Sequence, residues 1–243
     1  MVRFFVPPER ICEGRITIEG QELIHAAQVM RRRKGDVVTV MDGASKEYTA
    51  RIVSIDDRKC IAEILDERAA DTEVPVHITL CQAMIKPARF ETVLEKATEL
   101  GASSIVPIIS EYCSHREKEL SSSRRARWCA ILKSAACQSG RAVVPDLREP
   151  MTFASAIESF SGSKILLLSP SHDSVTVAKG LEDVRLAGSC SLFLGPEGGF
   201  SPDEIALARS RGIPLISLGK RILRAETAAI AALALAVAAI EEH

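Results

Sequence analysis

Over residues 3–64 the apolar positions come in short, partly alternating runs of strand length. They are Arg3-Phe4-Phe5-Val6, Arg15-Ile16-Thr17-Ile18, Asp36-Val37-Val38-Thr39-Val40, Glu47-Tyr48-Thr49-Ala50-Arg51-Ile52 and Lys59-Cys60-Ile61-Ala62-Glu63-Ile64. Met41-Asp42-Gly43 carries an Asp-Gly turn signal between two of them. Residues 20–30 break the period and set Leu23, Ala26, Ala27 and Met30 at helical spacing. Several short strands around one helix predict a compact β-barrel domain over residues 1–70. Residues 67–75, polar, charged and ending in proline, read as a linker.

From Val76 onward the pattern becomes alternating strands and helices, which predicts a second, α/β domain over residues 71–243. Residues 76–80, 104–109, 164–168, 192–194 and 214–218 are short, largely continuous apolar runs, as expected of a mostly parallel sheet covered on both faces. Residues 87–100 form an amphipathic helical pattern closed by Gly101, and residues 122–139 a basic one. The last helical stretch is Ala-rich and apolar nearly all round, so it must be buried on several sides.

Two strands of this half end in glycine. Leu192-Phe193-Leu194 runs into Gly195-Pro196-Glu197-Gly198-Gly199, and residues 214–218 run into Gly219. Such loops let the backbone approach a ligand without Cβ clashes, at the edge of a parallel sheet where crevices form. Ser201-Pro202-Asp203-Glu204 reads as a helix start with a capping box. The turn is neither G-x-G-x-x-G nor a Walker A loop, and Asp203 and Glu204 would repel a phosphate at that helix end. A nucleoside triphosphate or a dinucleotide therefore fits poorly.

The 243 residues, 47% of them hydrophobic, suffice for a sizeable core. Their 31 basic and 32 acidic side chains leave a net charge of −1, so any nucleic-acid contact must rest on local clusters such as Arg31-Arg32-Arg33-Lys34. That cluster reads equally as a phosphate-gripping patch or a solvated turn. One Trp, two Tyr and seven Phe are too few for an extended base-stacking platform. Seven scattered cysteines without a CxxC pair, and no signal-like N-terminus, predict reduced thiols in the cytoplasm and no metal site. The longest apolar tract, residues 227–240, is shorter than the ~18 residues of a membrane span, so no membrane contact is expected.

LGPEGGFSPDEI followed by LGKRILRAETA closely resembles the C-terminal signature of SPOUT-class RNA methyltransferases, in particular the family that methylates N3 of a uridine in 16S ribosomal RNA of the small subunit. HAAQVMRRRKGDVVTVMDG resembles the PUA-like, OB-related N-terminal domain of the same family. The resemblance implies an α/β trefoil-knot domain, S-adenosyl-L-methionine as cofactor, ribosomal RNA as partner and a homodimer. It implies a cofactor site made of Leu168, Leu194, Gly195, Pro196, Gly198, Gly199, Leu218, Gly219, Ile222, Leu223, Arg224, Thr227 and Ala228. It assigns RNA binding to Arg3, His25, Arg31, Arg32, Arg33 and Lys34, with Arg124 and Arg125 either tracking RNA or solvating a helix face. His25 reads also as a packed or capping histidine, and Thr227 either caps the final helix or faces the methionine moiety.

Methylating N3 requires that nitrogen to lose a proton, and the anion spreads onto O2 and O4, so fixed cations are needed there. Arginine suits the task, because it stays charged and offers a planar fork of donors. Arg224 is the first candidate and Arg141 the second. Glu226 either accepts the proton or orients an arginine. Arg141 lies in Cys137-Gln138-Ser139-Gly140-Arg141, similar to the family's Glu-Gln-x-x-Arg segment but with Cys137 in place of the glutamate. A nucleophilic Cys137 paired with His172 is the competing reading of an otherwise inert thiol. Two further readings compete with the enzyme: a non-catalytic RNA-binding assembly factor on the same fold, and a metabolic enzyme using an adenine-containing ligand.

Overall fold

The computed structural model describes residues 3–24, 32–169, 173–182 and 184–242, with Gln21 described by its backbone alone. The chain divides into two compact units, residues 1–73 with 136–144, and residues 74–135 with 145–243.

The first unit contains β1 (Arg3–Phe5), β2 (Ile11–Cys12), β3 (Arg15–Ile18), α1 (Gln21–Ile24), β4 (Val37–Met41), β5 (Lys46–Ile55) and β6 (Cys60–Ala69). The strands form one sheet in the order β1-β4-β5-β6-β3-β2, antiparallel except for the parallel β1–β4 pair. The inward positions read from the alternation, among them Phe4, Ile16, Ile18, Val38, Val40, Ala50, Ile52 and Ala62, pack into a single buried cluster with Leu23. One core filled from one face of every long strand requires the sheet to curl around it, and register shifts after Thr49 and Ile52 give the long β5–β6 ribbon that freedom. The Asp42-Gly43 turn forms as expected: the Asp42 carboxylate accepts from the Ala44 and Lys46 amides at 2.7 and 3.0 Å. Of the helix expected over 20–30, α1 is its first part, and residues 25–30 lie outside the described residues.

The linker expected at 67–75 begins too early. Glu67, Arg68 and Ala69 continue β6 opposite Tyr48, Glu47 and Lys46. Their charges serve cross-strand pairs, Lys46 with Glu67 at 2.5 Å and Arg68 with Glu47 at 2.5 Å, so a polar stretch is here a solvated strand end.

The second unit contains β7 (His77–Ala83), α2 (Pro87–Glu99), β8 (Ser104–Ile109), α3 (Ser122–Ser139), β9 (Asp146–Leu147), β10 (Met151–Thr152), α4 (Phe153–Ser159), β11 (Lys164–Leu168), β12 (Val175–Thr176), α5 (Val177–Gly180), α6 (Val184–Ala187), β13 (Ser189–Leu194), α7 (Pro202–Ser210), β14 (Leu215–Ser217) and α8 (Ala225–Glu241), the last residues of α3 counting with the first unit. Its sheet runs β10-β8-β7-β13-β11-β14-β12 with β9 beside β8, and every pair is parallel. Both faces are covered, which is why Ile78, Leu80, Val106, Leu166, Leu192 and Phe193 are fully buried and the strands read as continuous apolar runs. Helix α8 turns Ala228, Ala229, Ala232, Leu233 and Ala236 inward against α2, α5 and β13, its alanines allowing close approach.

Candidate cofactor site

Three adjacent strands end at one level. Leu168, the last residue of β11, is in register with Leu194 of β13 on one side and Ile216 of β14 on the other. The two glycine loops leave from these ends and enclose a cavity of about 530 Å³. Small-molecule sites span roughly 300–1,000 Å³, so this one holds a ligand of nucleoside size.

The first loop is tight because of Gly195. A Cβ there would lie 3.1–3.3 Å from the backbone of Gly199 and Phe200, so a side chain fits only if that backbone gives by a few tenths of an ångström. The Gly199 amide donates to the Pro196 carbonyl at 2.9 Å, and Gly199 closes the turn with φ +73°. The capping box follows as read: the Ser201 hydroxyl accepts from the Glu204 amide, and the Ser201 amide donates to Glu204 Oε2 at 2.9 Å. Glu204 does more than cap. It also accepts the Ser110 hydroxyl at 2.9 Å and the Glu111 amide at 3.0 Å, which fastens the loop after β8 to the start of α7. A carboxylate thus fills the place where that helix would otherwise hold a phosphate.

The second loop turns at Gly219, φ +104°, whose amide donates to the Ser217 hydroxyl at 3.2 Å. It ends at Arg224, the N-cap of α8, whose carbonyl accepts from the Ala228 amide at 2.8 Å. Thr227 is therefore not the cap; the helix starts at Ala225 and Thr227 sits exposed in its first turn.

Among the residues singled out for the cofactor, all but Thr227 line the cavity. Arg224 lines it and is exposed. Glu226 does not. Its Oε1 stands 3.6 Å from Nε of Arg89, and its Oε2 is buried without a hydrogen-bond partner. Arg89 itself lines the cavity and reaches Glu197 at 3.3 Å, so the partner of Glu226 is an arginine that the sequence reading missed. Only the alternation of α2 pointed toward Arg89, and that pattern marks any exposed helix position.

Arg141 belongs to the first unit and is 3% exposed. Its Nε lies 3.2 Å and its Nη2 2.5 Å from Glu73 Oε2, and Glu73 also accepts the Val143 amide at 3.3 Å. Arg3 is half-buried in the same unit, where its guanidinium would lie 3.0 Å from a Cβ at Gly140. Arg32 pairs with Asp36 at 3.8 Å, and Arg33 and Lys34 are exposed. His25, Arg31 and His172 lie outside the described residues. Arg124 pairs with Glu117, and Arg125 with Glu149 and the Leu147 carbonyl, on the surface of the second unit. Cys137 packs beside the Phe5, Met41, Ala136 and Ala142 cluster of the first unit. Among the described residues no group of three metal-ligating side chains comes together, and no helix is long and apolar enough to cross a membrane.

A parallel α/β sheet with a ligand crevice walled by glycine loops at its carboxyl edge defines a class of nucleotide- and nucleoside-binding domains. Residues 72–237 match the RNA methyltransferase domain family, and residues 18–65 the RNA methyltransferase PUA domain. Ribosomal RNA small subunit methyltransferase E of Synechocystis is 34% identical over 96% of this chain and 76% of its own length. The protein of that name from Mycobacterium bovis is 32% identical over 89% and 83%. The crystal structure of the Neisseria gonorrhoeae ribosomal RNA small subunit methyltransferase E bound to S-adenosyl methionine is 34% identical, covers 97% of this chain and 96% of that one, and superposes with a TM-score of 0.84. A Legionella pneumophila structure in complex with bound SAM is 32% identical, covers 98% and 97%, and reaches a TM-score of 0.82. The chain belongs to the RNA methyltransferase family of these proteins.

Proposed function

We propose that the protein methylates N3 of a uridine in 16S ribosomal RNA of the small subunit, with S-adenosyl-L-methionine as methyl donor, as a cytoplasmic homodimer. The observation that carries this reading is the cavity of about 530 Å³ at the ends of β11, β13 and β14, bounded by Gly195 and Gly219. The residues fit that donor. Leu168, Leu194, Leu218 and Leu223 offer an apolar bed, the bare Gly195 leaves backbone groups within reach, and the carboxylate of Glu204 at the α7 start disfavours phosphate-bearing ligands. S-adenosylmethionine supplies a methyl group activated by its sulfonium leaving group.

The chain's own part is to hold the base and the charge. Arg224 in the wall is the donor that would stabilise the uridine anion at O2 or O4, and Arg141, held rigid by Glu73, is the second candidate. Glu226 acts through Arg89, keeping that guanidinium fixed between both loops. The PUA unit, through Arg3, His25 and the run Arg31 to Lys34, holds RNA by phosphate contacts, with Arg124 and Arg125 as further contacts from the second unit.

A trefoil knot is part of this reading. The chain completes β13 on one side of β11 and then inserts β14 on the other, between β11 and β12. In this reading a second copy covers exposed apolar side chains such as Ile222, 99% exposed, and Leu235, 52%.

Mass mapping of 16S ribosomal RNA from cells with and without the gene tests the function. Loss of one N3-methyluridine in the deletion strain, restored by the wild-type gene, is the expected result. An unchanged modification map, or a lost methyl on another atom, overturns it.

A further inference from the structure

A uridine N3 lies on the Watson–Crick edge of its base, so the base must leave its stack before it can meet a methyl donor. The extruded ring then needs a new face to lie on, and aromatic side chains are the usual one. Every other Phe, Tyr and Trp is buried, from Phe4 at 0% exposure to Phe160 at 9%. Tyr112 is 50% exposed.

Its place is what matters. A Cβ built on Gly198 would lie 3.2 Å from the Tyr112 Cβ and 3.6 Å from two of its ring atoms, so the tyrosine rests directly on the glycine turn. Gly198 is part of the cavity wall. The loop carrying the ring is fixed before any ligand arrives. The Ser110 hydroxyl and the Glu111 amide both donate to Glu204, the Cys113 amide donates to the Ser110 carbonyl at 3.1 Å, and the Arg116 guanidinium donates to the Glu111 carbonyl. Half of this side chain stays open to solvent beside the cavity, and a flat π-face there suits a pyrimidine.

We propose that Tyr112 is the stacking residue for the extruded target base, positioning it beside the donor cavity. This rests on the methyltransferase reading above. The phenol oxygen is not needed; the ring is.

The test is methyl transfer from labelled S-adenosylmethionine to small-subunit particles lacking the modification, with Tyr112→Phe, Tyr112→Trp, Tyr112→Leu and Tyr112→Ala, alongside calorimetric cofactor affinity for each. Phe and Trp should stay within about 3-fold of wild type, while Leu and Ala lose about 10- to 100-fold in kcat/KM for RNA. Cofactor Kd should be unchanged in all four. Full activity in the Leu variant would show that apolar packing on Gly198 suffices and would overturn the stacking role. So would a loss that appears in cofactor Kd. A wild-type protein that neither binds the donor nor methylates RNA overturns the methyltransferase reading itself, whereas an active wild type with an equally active Tyr112→Ala variant overturns only this one.

Discussion

Nε of Arg89, in the first turn of α2, stands 3.6 Å from Oε1 of Glu226, in the first turn of α8. Nη1 of the same guanidinium lies 3.3 Å from Glu197, so one side chain from the first turn of α2 ties the turn after β13 to the start of α8. Both pairs are partly exposed, and such pairs add little stability on their own. Their effect falls on geometry, because both loops wall the cavity.

Arg89→Ala is therefore expected to leave the melting temperature nearly unchanged and to weaken S-adenosylmethionine binding by roughly tenfold, a loss of about 1.4 kcal/mol. A double-mutant cycle with Glu226→Ala, read by calorimetry, should show coupling of about 1 kcal/mol. Strictly additive losses would mean that the two residues act independently and that the clasp does not exist.

Gly195 and Gly219 disfavour a side chain for different reasons, and alanine separates them. At Gly195 a methyl group meets backbone at 3.1–3.3 Å, so Gly195→Ala must move the turn and should cost about 1–3 kcal/mol. At Gly219 the space for a methyl is open and only φ +104° is unfavourable, so Gly219→Ala should cost a similar amount through backbone strain alone. Denaturant titration gives the stability, and crystallography of the two variants distinguishes a displaced turn from an undisturbed one. An undisplaced turn in Gly195→Ala would contradict the steric account.

Much of this was legible in the sequence because it depends on neighbours in the chain. The capping box at Ser201 and Glu204, the strands at 104–109 and 164–168, and the left-handed glycines after β13 and β14 are local devices, and local patterns report them. Arg89 was not legible, since its partners lie more than a hundred residues away and its own helix position looks like any solvated one. Tyr112 was invisible for the same reason, as was the second use of Glu204, whose motif was satisfied by the cap alone. Residues 67–69 were misread because they have the composition of a linker, but pairing with Tyr48, Glu47 and Lys46 across the ladder keeps β6 going to Ala69.

Glu204 bonds the Ser110 hydroxyl, the Glu111 amide and both the amide and hydroxyl of Ser201, so its removal should be felt beyond one helix end. Glu204→Ala loses the reciprocal cap and leaves the Ser110 hydroxyl and Glu111 amide without their carboxylate. The expected cost is about 1–2 kcal/mol, or a fall of ~2–8 °C in melting temperature. Glu204→Gln keeps acceptor oxygen at the same place and should recover part of it. Hydrogen exchange provides the second readout: the Glu111 and Ser201 amides should exchange faster in the Ala variant. Equal protection in both proteins would show that water replaces the carboxylate without loss.

The buried thiols should weaken the fold in alkali. Burial pushes the Cys60 thiol up to about 11 and the Cys190 thiol up to about 12, and it raises Cys81 well above the ordinary value of 9.0. Each folded-state value is raised, so the native chain keeps a proton that the unfolded chain gives up. The stabilisation is complete below pH 9 and is lost as pH rises from there toward each native value. Per thiol the slope approaches about 1.4 kcal/mol per pH unit. Urea unfolding under reducing conditions, from pH 8 to 10.5, should show this decline, and Cys190→Ala should flatten it relative to the parent whatever it does to stability at neutral pH. Cys12 and Cys129, both exposed, should meanwhile react with a thiol reagent at pH 8 while Cys190 reacts only as fast as the protein unfolds. Native-state labelling of Cys190 at the rate of Cys129, or a pH slope untouched by Cys190→Ala, would rule this account out.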